Sequence, residues 1–301
     1  MRHWYRMSTQ IIGRACWLVV LAASAAAAQA SPGPKTVTLL PTYVPDSHLN
    51  YSVVIHSSIG TRATLDTTAA VDMHVLSGAT PGNFDAELKF TKYATTVKAD
   101  LPADQTNLEQ QSSAIDHAAL TMTPAHFRVS PGKVEVIARP NGADFDQPVE
   151  MLEELVRTDG LPNGPVAVGN HWTFTRSRDI PTMNFSVALA MDCSLTAFGE
   201  QNGQPTATIV IHSHGSTPLP PGSLPGSQEM ASQGLVPEAS VAFDTDATSV
   251  YRAKDAVLES TTSETNNQMH IKFIGPSPNA QTMDTTIHST STVRLESHGN
   301  E

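Results

Sequence analysis

Alternation of apolar and polar residues along long segments is the feature of this sequence that most constrains its fold. Two segments, residues 62–76 and 184–195, carry apolar side chains at nearly every second position. These apolar residues include Leu65, Val71, Met73 and Val75 in the first segment and Phe185, Val187, Leu189 and Met191 in the second. Because successive side chains of a β-strand point to opposite faces, both segments are predicted to be long strands with one apolar face.

Strands of this length favour a curved sheet, since ordinary strands run to about five or six residues. We expect a mainly β protein with two short helices, whose long antiparallel strands form one or two strongly curved sheets. An internally duplicated half-open barrel is one such arrangement, because a shift of 120 residues superposes segments 71–73 and 191–193. A two-sheet β-sandwich is the alternative.

Interruptions of the alternation predict bulges and helices. The apolar positions change parity after Phe90, which predicts a β-bulge near Thr91 and Lys92. Helical patterns occur at 105–117 and, with clearer apolar spacing, at 148–157. We therefore expect two small helices in the first half of an otherwise β-rich chain.

Turn residues separate the remaining segments. Ser130, Pro131 and Gly132 predict a tight turn between strands at 126–130 and 133–138. A further short strand is expected at 118–122, and later strands at 239–245, 249–253, 256–264, 267–274 and 282–296. Five prolines between residues 216 and 238 predict an exposed loop, because a sheet ladder cannot accommodate that density of proline.

The first thirty residues have the pattern of a secretory signal peptide. Three arginines precede a fourteen-residue apolar run, Ala15–Ala28, and the first thirty residues contain no acid. Small residues follow the apolar run, as at a signal-peptidase site. This run is shorter than the roughly twenty residues of a membrane span, so we predict cleavage after Ala30, with Met1 or Met7 as the start. The mature protein is then expected in the periplasm or outside the cell, without a transmembrane anchor, as a first β lobe (31–160) and a second (161–301).

The charge balance excludes general binding to nucleic acid. The whole chain carries 18 Lys and Arg against 29 Asp and Glu, a formal charge of −11. Without the three leader arginines this becomes 15 against 29, or −14 over 271 residues. No basic field then remains to replace the counterions of phosphates.

Cysteine use is minimal, because only Cys193 remains after the predicted cleavage. An intramolecular disulfide is then impossible. Cys193 lies on the apolar side of the 184–195 segment, so we predict a buried, unreactive thiol.

No motif assigns a reaction to this sequence. The nucleophile elbow, the zinc-protease helix and the phosphate-binding glycine loop do not occur. His212 and His214 are weak candidates for metal binding, because side chains two apart on a strand project to one side and need a third ligand from a neighbour. We predict no metal site and no cofactor, and favour a noncatalytic protein. A secreted hydrolase that uses strand-end groups such as Asp72 and Asp192 is the alternative.

One segment carries a family resemblance. It reads Leu161-Pro162-Asn163-Gly164-Pro165-Val166-Ala167-Val168-Gly169-Asn170-His171-Trp172. This segment resembles one found in uncharacterised secreted, β-rich bacterial envelope proteins, and the strand layout is also similar. The resemblance implies an exported bacterial protein and assigns no catalytic residue.

The apolar strand faces suggest a binding role. Two small helices cannot cover strands of this length, so the sheet is expected to bind a lipid or another apolar or amphiphilic ligand, or an envelope protein. The predicted ligand-binding residues are Leu65, Val71, Met73, Val75, Phe185, Val187, Leu189 and Met191. A purely structural or protein-interaction role is the remaining alternative.

Overall fold

The computed structural model describes residues 36–141, 146–180, 185–220, 236–274 and 281–300. The predicted signal peptide and its cleavage site lie outside these residues, as does most of the predicted proline-rich loop. Within the described residues the chain forms thirteen strands and two helices.

The elements follow one another along the chain as a series of long strands with two helical insertions. They are β1 (Val37–Thr38), β2 (Ser47–Ile59), β3 (Ala63–Val75), β4 (Phe84–Ala99), α1 (Pro102–Thr121), β5 (Ala125–Ser130), β6 (Lys133–Ala138), α2 (Asp146–Val156), β7 (Pro165–Val166), β8 (His171–Ile180), β9 (Phe185–Gln201), β10 (Gln204–Pro218), β11 (Val236–Arg252), β12 (Leu258–Ile274) and β13 (Gln281–Asn300).

Eleven of the strands form one antiparallel sheet. Its order is β6-β5-β4-β3-β2-β13-β12-β11-β10-β9-β8, so the last strand, β13, pairs with β2 and joins the two halves of the chain. The short strands β1 and β7 form a separate pair. A mainly β fold with two helices and long antiparallel strands is confirmed, as one large sheet rather than a two-sheet sandwich. The lobe boundary at residue 160 and the internal duplication stay predictions.

The large sheet is strongly curved and open. If the sheet were flat, its two edge strands would lie about 48 Å apart, because neighbouring strands are spaced by about 4.8 Å. Yet Val134 on edge strand β6 and Arg176 on the opposite edge strand β8 line one cavity. We call the enclosed face, which carries Val53 on β2, the inner face, and the face that carries Val54 the outer face.

Local features explain where the sequence pattern changes phase. Ala70 pairs with Lys92 and Val71 with Phe90, so Thr91 is the extra residue of a bulge on β4. This bulge was predicted from the change in parity. Gly132 has a φ of +71° in the turn between β5 and β6, as the turn residues there indicate.

The helices and the later strands are longer than predicted. Helix α1 extends through residues 118–121, so the strand expected at 118–122 is wrong; Ala118 and Ala119 are good helix formers and are buried on α1. Segment 239–252 forms one continuous strand within β11, and 258–274 likewise forms β12. Strand β10 continues to Pro218. Neither described helix combines the length and apolar character needed to cross a bilayer.

Helix α1 covers part of a sheet edge. Strand β5 pairs with β4 only as far as Leu88, which leaves the backbone of β4 from residue 93 onward without a strand partner on that side. Side chains of α1 take over this role: the Asp116 carboxylate accepts from Thr95 N at 2.9 Å, and Gln105 accepts from Ala99 N at 2.6 Å and donates to the Val97 carbonyl at 3.0 Å. Three backbone groups of this edge are thereby satisfied, and α1 covers the edge against strand addition.

The edge contacts of Gln105 predict a measurable loss of stability. Gln105→Ala should lower the free energy of unfolding by about 1–3 kcal/mol, because two backbone groups lose their partners. Gln110→Ala, at an exposed position of the same helix, should change it by less than about 0.5 kcal/mol. Chemical denaturation of both variants measures this difference, and equal stabilities would contradict the edge role.

Candidate functional site

The inner face of the curved sheet lines a partly open cavity of about 950 Å³. Its walls come from strands β2, β6 and β8–β13, from helix α2 and from residues 158–161, which follow this helix. The site therefore exists because distant parts of the chain meet where the sheet curves.

The apolar wall of the cavity is formed by helix α2 and by strands that lie on both sides of β11 and β12 in the sheet. It consists of Val53, Ile55, Val134, Val136, Met151, Leu155, Leu189, Met191, Ile211 and Val293. Alternation places the strand members on the inner face, and Met151 and Leu155 lie one turn apart on the buried side of α2. This wall can bind a hydrocarbon group.

A second wall carries hydroxyl groups from β11, β12 and β13. Its members are Thr245, Ser249, Thr261, Ser263, Thr265 and Ser291. Thr245 and Thr265 are hydrogen-bonded to each other at 3.0 Å, and Ser263 and Ser291 at 2.8 Å. Each hydroxyl has one donor and two acceptor sites, so these pairs keep capacity for further polar contacts.

An ionic cluster closes the cavity between α2 and β8. Arg176 donates from Nε and Nη2 to the two carboxylate oxygens of Asp159, at 2.8 and 2.7 Å, and its Nη1 lies 3.3 Å from Glu154. Burial opposes the charge of Arg176, but Glu154 and Asp159 outweigh it and raise its pKa. Arg157 pairs with Glu153, whose pKa is raised by burial against the effect of that arginine. The cluster fixes α2 over the inner face.

The predicted ligand-binding residues divide between the cavity and the core. Leu189 and Met191 line the cavity. Val71, Met73 and Val75 are fully buried in the main core cluster, and the buried Val187 packs in a smaller cluster with Leu189 and Met191. Leu65 is half-buried on β3, and the side chain of Phe185 lies outside the described residues.

Sequence reasoning missed the hydroxyl wall and the role of α2. The strands β11 to β13 carry Ser and Thr on both faces, so alternation of polarity could not identify an inner side. The pattern that could have drawn attention to it is the run of hydroxyl residues at 260–263, in a segment long enough to be a strand.

The titratable residues singled out in the sequence lie on the outer face, away from the cavity. Asp72 contacts His48 Nδ1 at 2.9 Å and Lys89 at 3.4 Å. His212 contacts Asp246 at 2.9 Å, and Asp192 lies opposite His212 in the sheet register. They form no common cleft, so the hydrolase alternative gains no support from these groups.

Comparisons with known proteins give no family. No family model and no curated protein matches the chain. Among solved structures it is similar to one described as lipid–protein interactions in lipovitellin, with a TM-score of 0.45, 14% identity and coverage of 86% of this chain and 26% of that chain. An outer membrane channel from Pseudomonas putida F1 matches with a TM-score of 0.16 and 7% identity, over 88% of this chain and 98% of that chain. This chain thus spans about a quarter of lipovitellin, and neither similarity carries an argument about function.

The buried thiol of Cys193 generates a prediction. Cys193 is 2% exposed beside Leu195 and Ile209, and burial raises its pKa to about 11. Because the thiolate is the reactive form, native protein at pH 8 should alkylate at Cys193 far more slowly than denatured protein. Peptide mapping after iodoacetamide treatment measures modification at this residue alone. Equal rates in native and denatured protein would contradict the burial.

Proposed function

We propose that this chain is an exported, noncatalytic envelope protein that holds an amphiphilic ligand in the cavity of its curved sheet. The observation that carries the proposal is the cavity of about 950 Å³ on the inner face, with an apolar wall and a hydroxyl-bearing wall. This volume lies at the upper end of the 300–1,000 Å³ range typical of small-molecule sites. Such a site suits a ligand with a hydrocarbon part and a polar part.

The distribution of polar groups favours an amphiphile over a purely apolar ligand. A ligand made only of hydrocarbon would bury the hydroxyls of Ser263, Thr265 and Ser291 without replacing their contacts with water, which costs free energy. A ligand with polar groups on that side replaces them by hydrogen bonds, while Ile55 and Met191 contact its apolar part.

The ionic groups of the cavity support a binding role. The carboxylate of Asp159 accepts two hydrogen bonds from Arg176. A carboxylate held in this way is a poor general base because its arginine partner restrains its position. Export is proposed from the signal-peptide pattern of residues 1–30 and from the acidic, cysteine-poor sequence that follows.

A cavity-filling substitution tests this function. Ile55→Trp adds an indole to the cavity, so it should weaken binding of a dansyl-labelled undecanoic acid by at least about tenfold, or 1.4 kcal/mol. Val54→Trp adds the same group at the neighbouring position on the outer face, where Val54 is 51% exposed, and should leave binding unchanged. Fluorescence titration of both variants and of the wild-type chain measures these affinities.

Three results of the titration would overturn the proposal. They are absence of saturable binding to the wild-type chain, unchanged binding to Ile55→Trp, and equal weakening by the two substitutions. Circular dichroism of each variant establishes whether the sheet is retained.

A further inference from the structure

We propose that the outer face holds a divalent transition-metal site, with Zn²⁺ as its best-fitting ion, formed by His212, Asp244 and Asp246, with His214 beside them. The site is separate from the cavity, because even-numbered residues of β10 and β11 lie on the face opposite to Ile211, Ser213 and Thr245. It does not depend on the proposed ligand.

Register brings the four side chains together. His212 on β10 lies directly opposite Asp246 on β11, and His214 lies directly opposite Asp244. Residues two apart on a strand project to the same face, so the four positions form the corners of a small rectangle. A continuous strand pairing without a bulge at this point holds the rectangle in place.

The distances fit a shared ion. His212 Nδ1 lies 2.9 Å from Asp246 Oδ1, and one ligand atom from each of His212, Asp244 and Asp246 lies within 4.8 Å of the other two. The rings of His212 and His214 have centroids 5.3 Å apart. Ligand atoms of a tetrahedral zinc site are about 3.3 Å apart at bond lengths near 2.0–2.1 Å.

The donor set selects the class of metal. An imidazole with two carboxylates, as in His212, Asp244 and Asp246, suits Zn²⁺ and its neighbours in the first transition row, whereas Ca²⁺ and Mg²⁺ prefer oxygen ligands alone. On the neighbouring strands, Asp192 on β9 lies directly opposite His212, and Glu264 on β12 lies directly opposite Asp246. These two acids add negative potential around the site and favour a cation.

The same face provides a matched control. His56 on β2 is hydrogen-bonded to Asp66 on β3 across the strand pair, as His212 is to Asp246. On the neighbouring strands, Thr290 lies opposite His56 and Thr96 lies opposite Asp66, so threonines rather than acids flank this pair. If a cross-strand His–Asp pair alone bound zinc, the two pairs would behave alike.

The test is zinc binding to the full chain, prepared without a histidine tag and freed of metal with a chelator. Titration calorimetry, with metal analysis after dialysis, should give one saturable Zn²⁺ site per chain. His212→Ala combined with Asp246→Asn should weaken that site by more than about tenfold, whereas His56→Ala combined with Asp66→Asn should retain it. With Co²⁺ as the probe, visible absorption bands should appear for the wild type and disappear for the first variant.

Each other result overturns the proposal. Absence of saturable Zn²⁺ uptake by the wild-type chain would show that the histidines and acids form only hydrogen-bonded pairs. Unchanged uptake by the first variant, or equal loss in both, would place the zinc elsewhere. Dansyl-fatty-acid binding by the two variants should equal that of the wild type, which separates this site from the cavity.

Discussion

The structure depends on one antiparallel sheet in which eleven strands are hydrogen-bonded in succession from β6 to β8. Because this sheet assigns alternate side chains to two faces, it fixes an inner and an outer surface over eleven strands at once. The curvature of the sheet then brings distant strands of the inner face close to one another. Cores form where large apolar residues meet, around Tyr51 and Phe127 in one place and around Leu195 and Ile209 in another. Between these cores, β11 to β13 present Ser and Thr, whose small side chains leave space, and the cavity lies there.

Much of this fold could be predicted from the sequence. Alternation identified β3 and β9, and the change of parity located the bulge at Thr91, because both depend on side-chain polarity along a single strand. The continuity of β11 and β12 could not be predicted in this way. Residues 246–248 and 265–266, which join the predicted strands, show no clear alternation of polarity, and they belong to strands because neighbouring strands pair with them, which is a property of the whole sheet.

The candidate site was only partly predictable, for a related reason. Periodicity tells which face a residue occupies but not what covers that face: Met191 lines the cavity, whereas Met73, on an equally apolar strand, is sealed in the core. The partners of His212 and His214 depended on the register of β10 against β11, which neither strand specifies alone. Sheet geometry therefore produces both proposed sites: the cavity on the inner face and the metal-binding side chains on the outer face.

The central claim is that the inner cavity is a binding site for an amphiphile, and native mass spectrometry of the chain purified from its own host tests it most directly. We expect an added mass, identifiable as an amphiphilic molecule after extraction and absent from the Ile55→Trp variant prepared in parallel. A mass equal to the polypeptide alone in both preparations would contradict the claim.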